Sequence, residues 1–268
     1  GLMVQERLDD LESGSPAPLA DTSNVFALRE VASGDLLTDP AAIRATESAV
    51  FPELTTSTKR IFEGDPGAYL ETVTTSGYDA VGNVIELSDL GEPTDPADDY
   101  HAAISYTGAA GGAHAACASQ HLIGFADGIQ VTDGSGVVLR QRAASFSCST
   151  GDLLELTQVS GSSPASVSSF QYTPDGTLSH VEGPENDAGQ RYALDFTYDP
   201  IVRTHIVAIE DSFGQTSAAD YDLRFGMAKE SVDSNGQVIS TTLDDYGRVL
   251  TVTGPLQQPA GTTIEHDY

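Results

Sequence analysis

The stretch Tyr78-Asp79-Ala80-Val81-Gly82-Asn83-Val84, followed by Leu87 and Asp89, decides how this chain is read. An Asp at the start of a turn accepts hydrogen bonds from the backbone ahead of it, and a Gly supplies the positive-φ position that closes a hairpin through a bulge. The order returns in Tyr172-Thr173-Pro174-Asp175-Gly176-Thr177-Leu178, with Val181 beyond, and in Leu243-Asp244-Asp245-Tyr246-Gly247-Arg248-Val249, with Val252 beyond. Longer copies run from Tyr198-Asp199-Pro200 to Asp211 and from Tyr221-Asp222 through Gly226 to Asp233. From Tyr172 the copies start 26, 23 and 22 residues apart, the length of two short strands and two turns. Partner turns stand at Asp133-Gly134-Ser135-Gly136, Asp211-Ser212-Phe213-Gly214 and Asp233-Ser234-Asn235-Gly236. Apolar residues lie two and five positions after the motif Gly. That odd spacing puts them on opposite faces of an unbroken strand, so either a bulge intervenes or both faces are partly covered.

Working outward, 26 Gly and 13 Pro without a collagen-like period, and Ser/Thr/Asp/Gly-rich stretches between short apolar runs, describe a turn-rich all-β chain. We expect a ribbon of antiparallel hairpins over residues 55–268. Residues 1–54 read as an irregular segment with one short helix, where Asp39-Pro40 opens Ala41-Ala42-Ile43-Arg44-Ala45. The chain stops in what reads as another repeat, which predicts a longer polypeptide.

Charge narrows the function classes. With 40 acidic against 12 basic residues the formal net charge is −28, which repels phosphate backbones and anionic lipid, so nucleic acid and membrane surfaces are not expected as partners. No apolar run approaches the length of a transmembrane helix.

The Tyr-Asp units resemble the Rhs, or YD-repeat, family and are similar to the Rhs-type region of bacterial insecticidal toxin-complex B and C components and related secreted toxins. The resemblance covers about residues 55–268. It implies a ribbon of hairpins that spirals into part of a hollow shell, with further repeat sheet and a C-terminal toxin cargo as partners, in a secreted or cell-surface bacterial protein without catalysis of its own. The residues that carry it are the repeat turns Tyr78, Asp79, Gly82, Tyr172, Gly176, Tyr198, Asp199, Tyr221, Asp222, Gly226, Asp244 and Gly247. Leu243 departs from the family by standing where it has Tyr. The autoproteolytic Asp-Pro-x-Gly-Leu pattern is absent around Asp39-Pro40, Asp65-Pro66, Asp95-Pro96 and Asp199-Pro200. The alternative is a YD-repeat surface module that binds carbohydrate or another cell.

Candidate chemistry is sparse. His114, Cys117, His121 and Cys148 contain ligands for a tetrahedral zinc, but the spacing matches no finger. A Cys117–Cys148 disulfide, placed by folding the chain back at the turn from Asp133 to Gly136, is the reading we prefer; two free buried thiols is the third. Asp89, Glu92, Asp95, Asp98 and Asp99 could offer oxygens to calcium, yet lack EF-hand spacing and read first as a solvated loop. Gly-x-Ser-x-Gly, His-Glu-x-x-His and P-loop signatures do not occur, and Glu182 or Glu210 as glycosidase carboxylates would need support from geometry. We expect no enzyme, no metal and no cofactor. The tyrosines read as packing residues, with a sugar-binding strip as the sharper alternative.

Overall fold

The computed structural model describes residues 2–10, 17–38, 48–62, 67–258 and 261–268. Among them are eighteen β-strands and two short 3-10 turns, Ala115–Gln120 and Pro255–Gln257. The chain divides into two compact units, Gly1–Gly151 with Thr157–Ala165, and Asp152–Leu156 with Ser166–Tyr268.

In the first unit β1 (Gln5–Asp10), β2 (Ala17–Glu30), β3 (Val50–Phe62), β4 (Tyr69–Tyr78), β5 (Val84–Asp89), β6 (Tyr100–Tyr106), β7 (Ala126–Asp133) and β8 (Val138–Phe146) each pair antiparallel with the next. β9 (Leu153–Ser160) follows, divided between the units. In the second unit β10 (Ser166–Tyr172), β11 (Leu178–Glu185), β12 (Arg191–Tyr198), β13 (Ile206–Asp211), β14 (Thr216–Asp222), β15 (Met227–Val232), β16 (Val238–Leu243), β17 (Val249–Thr253) and β18 (Ile264–Glu265) repeat the scheme. The chain is an all-β ribbon of hairpins.

Two expectations change. The boundary at residue 54 falls inside β3, and the compact units divide near Gly151 instead. The segment read as irregular is strand in its described part, because β2 is hydrogen-bonded on both sides, by β1 and β3, although Pro18, Asp21 and Asn24 are poor strand formers. Pro52 is tolerated in β3 since β4 begins pairing only at Thr56 and asks for no N–H at that point. The helix expected over Asp39–Ala45 lies outside the described residues.

The faces of the sheet differ in chemistry. Residues directly opposite across strands share a face. In the second unit Phe170, Val181 and Leu194 form one row and Phe196 stands opposite Ile209, while Gln171, His180, Asp195, Glu210 and Thr216 form a row on the reverse. The first unit carries Leu87, Ala102 and Val131 on one face and Ser88, His101 and Thr132 on the other.

Few side chains have a core to enter: Pro18, Cys117 and Val131 are the buried apolar ones among the described residues. The accessible area is 16902 Å², whereas two separate compact bodies of half this mass would together expose about 13,000 Å². The excess does not depend on how the units are arranged. Exposed apolar side chains such as Tyr69, Leu70, Tyr100 and Tyr192 on the strands contribute to it.

Candidate functional site

Hairpin ends alternate between two sides of the ribbon. One side carries the Tyr-Asp turns, the other the partner turns. Both use one local device. At Asp79, Oδ1 accepts the backbone N–H of Val81 (3.0 Å) and Asn83 (2.8 Å), the Asp79 N–H donates to the Asn83 carbonyl, and the Gly82 N–H donates to the Asp79 carbonyl. Asp244 repeats this with Tyr246, Arg248 and Gly247, and among partner turns Asp133, Asp211 and Asp233 do the same with the residues two and four ahead. Thr173 and Asn186 stand in for the Asp in the turns closed by Gly176 and Gly189. The sequence separates these positions into repeat and partner turns; the backbone treats them as one type.

Asp222 and Asp199 are longer variants. Asp222 takes the Arg224 N–H and also the Arg224 guanidinium at 2.7 Å, which holds its carboxyl down at about 2. Asp199 is buried. Burial alone would raise its carboxyl, but the N–H groups of Ile201, Val202, Thr204 and His205 all donate to it and keep it far below the usual range. Arg203 in this turn adopts φ 59°, strain that the four donors hold in place.

Every Tyr-side hairpin carries a bulge directly before its turn, a device that the partner side uses only in β7–β8 and β11–β12. The register slips by one residue at Tyr78, Tyr106, Tyr172, Tyr198, Tyr221 and Leu243, leaving Ile85, Asp127, Ser179, Val207, Lys229 and Leu250 as the extra residues of the returning strands. This resolves the odd spacing, because the inserted residue brings the apolar positions two and five after the Gly to one face. Tyr78 Oη donates to the Leu54 carbonyl at 3.2 Å and Tyr198 Oη to the Leu178 carbonyl at 2.9 Å, each reaching the preceding strand. Tyr221 instead stacks on His205, ring centroids 4.8 Å apart. Burial pushes the Tyr172 phenol above its ordinary range, as it does that of Tyr106, which occupies the same place without a following Asp. Tyr106 is a repeat position that the Tyr-Asp pattern cannot reveal.

The Tyr-Asp turns also touch their neighbours. A Cβ on Gly247 would meet the Phe225 ring at 2.7 Å, one on Gly226 would meet His205 at 3.3 Å, and one on Gly82 would meet Phe51 at 3.2 Å. Arg203 reaches Asp175 of the preceding Tyr-side turn at 3.0 Å. At Gly136, Gly189, Gly214 and Gly236, on the other side, a Cβ meets nothing within 4 Å; Gly176 is the exception among the Tyr-side turns.

One Tyr-side connection, from Thr107 to Phe125, is enlarged and clamped. Cys117 and Cys148 form a disulfide with Cα atoms 4.5 Å apart. The cysteines do not face each other across a hairpin as the numbering suggests: Cys117 lies in a 3-10 turn and Cys148 in the turn after β8. The bond removes the sulfur ligands from the zinc reading. His114 Nδ1 lies 2.9 Å from Asp127, which also accepts from Ser105 Oγ at 2.6 Å, and His114 Nε2 accepts the Phe146 N–H at 3.4 Å. Asn83 Nδ2 donates to the Ile123 carbonyl at 2.8 Å, tying the loop to the Asp79 turn. Thr107 Oγ1 is buried without a partner. In the acidic loop, Asp89, Asp95 and Asp98 accept backbone N–H groups of Gly91, Ala97 and Glu92. Among the described residues no three His, Cys, Asp or Glu side chains are grouped to hold a metal, and no helix is long and apolar enough to cross a membrane.

A single-layer ribbon of bulged hairpins defines the fold class, and solved structures share it. The chain superposes on a TcdB2-TccC3 crystal structure with a TM-score of 0.62 at 12% identity, over 91% of this chain and 17% of that one. A second TcdB2-TccC3 structure gives 0.62 at 11%, over 88% and 15%. The Tc holotoxin pore of Photorhabdus luminescens gives 0.51 at 12%, over 96% and 14%. The chain thus spans about a sixth of the length of the toxin-complex chains it matches, and these are chains of the class the Tyr-Asp repeats resemble. No protein-family model and no curated protein matches the sequence.

Proposed function

We propose that this chain is a non-catalytic wall segment of an Rhs-type shell from a bacterial secreted toxin, continued by further repeat sheet and enclosing a C-terminal toxin cargo. The uncovered single layer carries the reading: 16902 Å² of accessible surface, with one face richer in aliphatic residues than the other, suits a wall that divides an interior from solvent. The fold likeness to toxin-complex chains supports it. The test is electron microscopy of the native full-length polypeptide, where we expect a closed wall around internal density; a solid domain with a conventional pocket, or substrate turnover by the chain, overturns it.

The surface-module alternative draws on Tyr192 and Phe213, 48% and 79% exposed with ring centroids 6.0 Å apart, an arrangement that can stack on a sugar ring. Glycan-array binding abolished by Phe213→Ala would favour it.

A further inference from the structure

Every described arginine is ion-paired with a carboxylate except Arg140 and Arg142. In a chain with 40 acidic residues, two exposed guanidinium groups without a partner are conspicuous. They are not isolated. Arg140 stands opposite Val131 and Arg142 opposite Ile129, on the face that also carries Leu87 and Ala102. The four side chains and Gln141 line an open groove of about 250 Å³. Each row therefore offers an aliphatic surface and, beside it, a planar two-pronged cation. A glutamate side chain has the same order of parts: two methylenes, then a carboxylate that an arginine takes bidentately. Arg140 and Arg142 are two residues apart on one strand, a spacing of about 6.8 Å, which an extended peptide reproduces between its own residues i and i+2.

We propose that Arg140 and Arg142, over Val131 and Ile129, bind an extended acidic polypeptide segment with glutamates at alternate positions. Charge complementarity selects this occupant: the rest of the molecule is strongly negative and repels such a segment everywhere else. The site stands independently of the shell reading, since it asks only for the register of β7 and β8.

The test uses the whole chain and a fluorescent peptide, acetyl-Gly-Glu-Ser-Glu-Ser-Glu-Gly-amide, with its Gln counterpart as control. Saturable binding of the Glu peptide is expected, weaker by at least about tenfold for the Gln peptide and for Arg140→Gln/Arg142→Gln, because each loses charge-assisted hydrogen bonds. Lys59→Gln, which removes an exposed cation elsewhere, should leave the affinity unchanged. The charge swap Arg140→Glu/Arg142→Glu should bind acetyl-Gly-Lys-Ser-Lys-Ser-Lys-Gly-amide at least about tenfold more tightly than the unchanged chain does, a gain above the general attraction of the acidic surface, while its thermal melt stays cooperative. Absence of saturable binding, an equal loss with Lys59→Gln, or competition by inorganic phosphate or dodecanoate as effective as the Glu peptide would each overturn the proposal. The last two outcomes reduce the site to a general anion or lipid-carboxylate contact.

Discussion

The Tyr-Asp side and the partner side of the ribbon close their hairpins with the same hydrogen bonds, yet they differ in what surrounds the glycine that closes each turn. Among the partner turns, Asp233 to Gly236 has open space around its glycine, and β13–β14 and β15–β16 keep their register. Ser212 of the Asp211 turn, by contrast, is bonded to Ala193 of the neighbouring strand, and β7–β8 and β11–β12 each slip by one residue. On the opposite side each hairpin carries a bulge, Tyr78 and Tyr198 are anchored and Tyr221 is stacked, and a side chain roofs Gly82, Gly226 and Gly247. Identical turn chemistry can therefore stand in open space, as at Gly236, or against a neighbour's side chain, as at Gly247. The difference lies in the side chain that the neighbouring hairpin brings next to it.

The largest test of that difference is the clamp on the enlarged Tyr-side connection. With Cys117 and Cys148 separated by 31 positions in the sequence, removing the bond should cost about 3–4 kcal/mol on the chain-entropy model. Urea unfolding of oxidised chain against Cys117→Ser/Cys148→Ser measures it, and an unchanged midpoint would show that the loop is held by its hydrogen bonds alone.

Next in size is a matched pair of glycines. Gly236→Ala should cost about 1 kcal/mol from its positive φ alone. Gly247→Ala should cost at least about 1 kcal/mol more, since the new methyl must displace the Phe225 ring. Equal losses would erase the contrast between the sides.

Acid sharpens the comparison further. Asp199 and Asp222 on the Tyr side have carboxyls held below the unfolded value, so each stabilises the fold above about pH 4 and loses that contribution as pH falls through its folded value. For Asp222 the window closes at about 2. Carboxyl carbon shifts should report both groups as ionised at about pH 3. Protonation of either at that pH would remove the four-donor turn, or the Arg224 pair, from the account.

Smaller still is the salt response. Most of the excess charge of −28 lies on a surface with little basic compensation, so the melting temperature should rise between about 10 mM and 1 M sodium chloride as the Debye length falls from about 30 to 3 Å. The smallest effect is expected at Thr107→Val. Exchanging a buried hydroxyl that has no partner for a methyl should leave stability unchanged or raise it by up to about 1 kcal/mol.

The repeat turns were legible because Asp and Gly act within five residues of each other, and Tyr78, Tyr172, Tyr198 and Tyr221 stand at a constant place before them. Tyr106 was not, because its bulge partner Asp127 lies beyond a 19-residue connection, from Thr107 to Phe125, that breaks the period. β1 and β2 lacked alternation in their residues and owe their conformation to neighbours on the sheet. The cysteine pair was legible as a pair and wrong in geometry, since hairpin numbering assumes strands where the chain makes a 3-10 turn. Phe225 over Gly247 and the unpaired Arg140 and Arg142 follow from register, which no local pattern encodes.

In each unit the strands named above are bonded to the strands next to them in the sequence. Mechanically this is a zipper. Tension applied along the polypeptide from one end of such a unit loads a single row of backbone hydrogen bonds at a time, so strands peel off in order under forces that never have to break the whole unit at once. The same connectivity lets a unit form as its chain emerges, each strand finding a finished edge to pair with and closing only a short loop to do so.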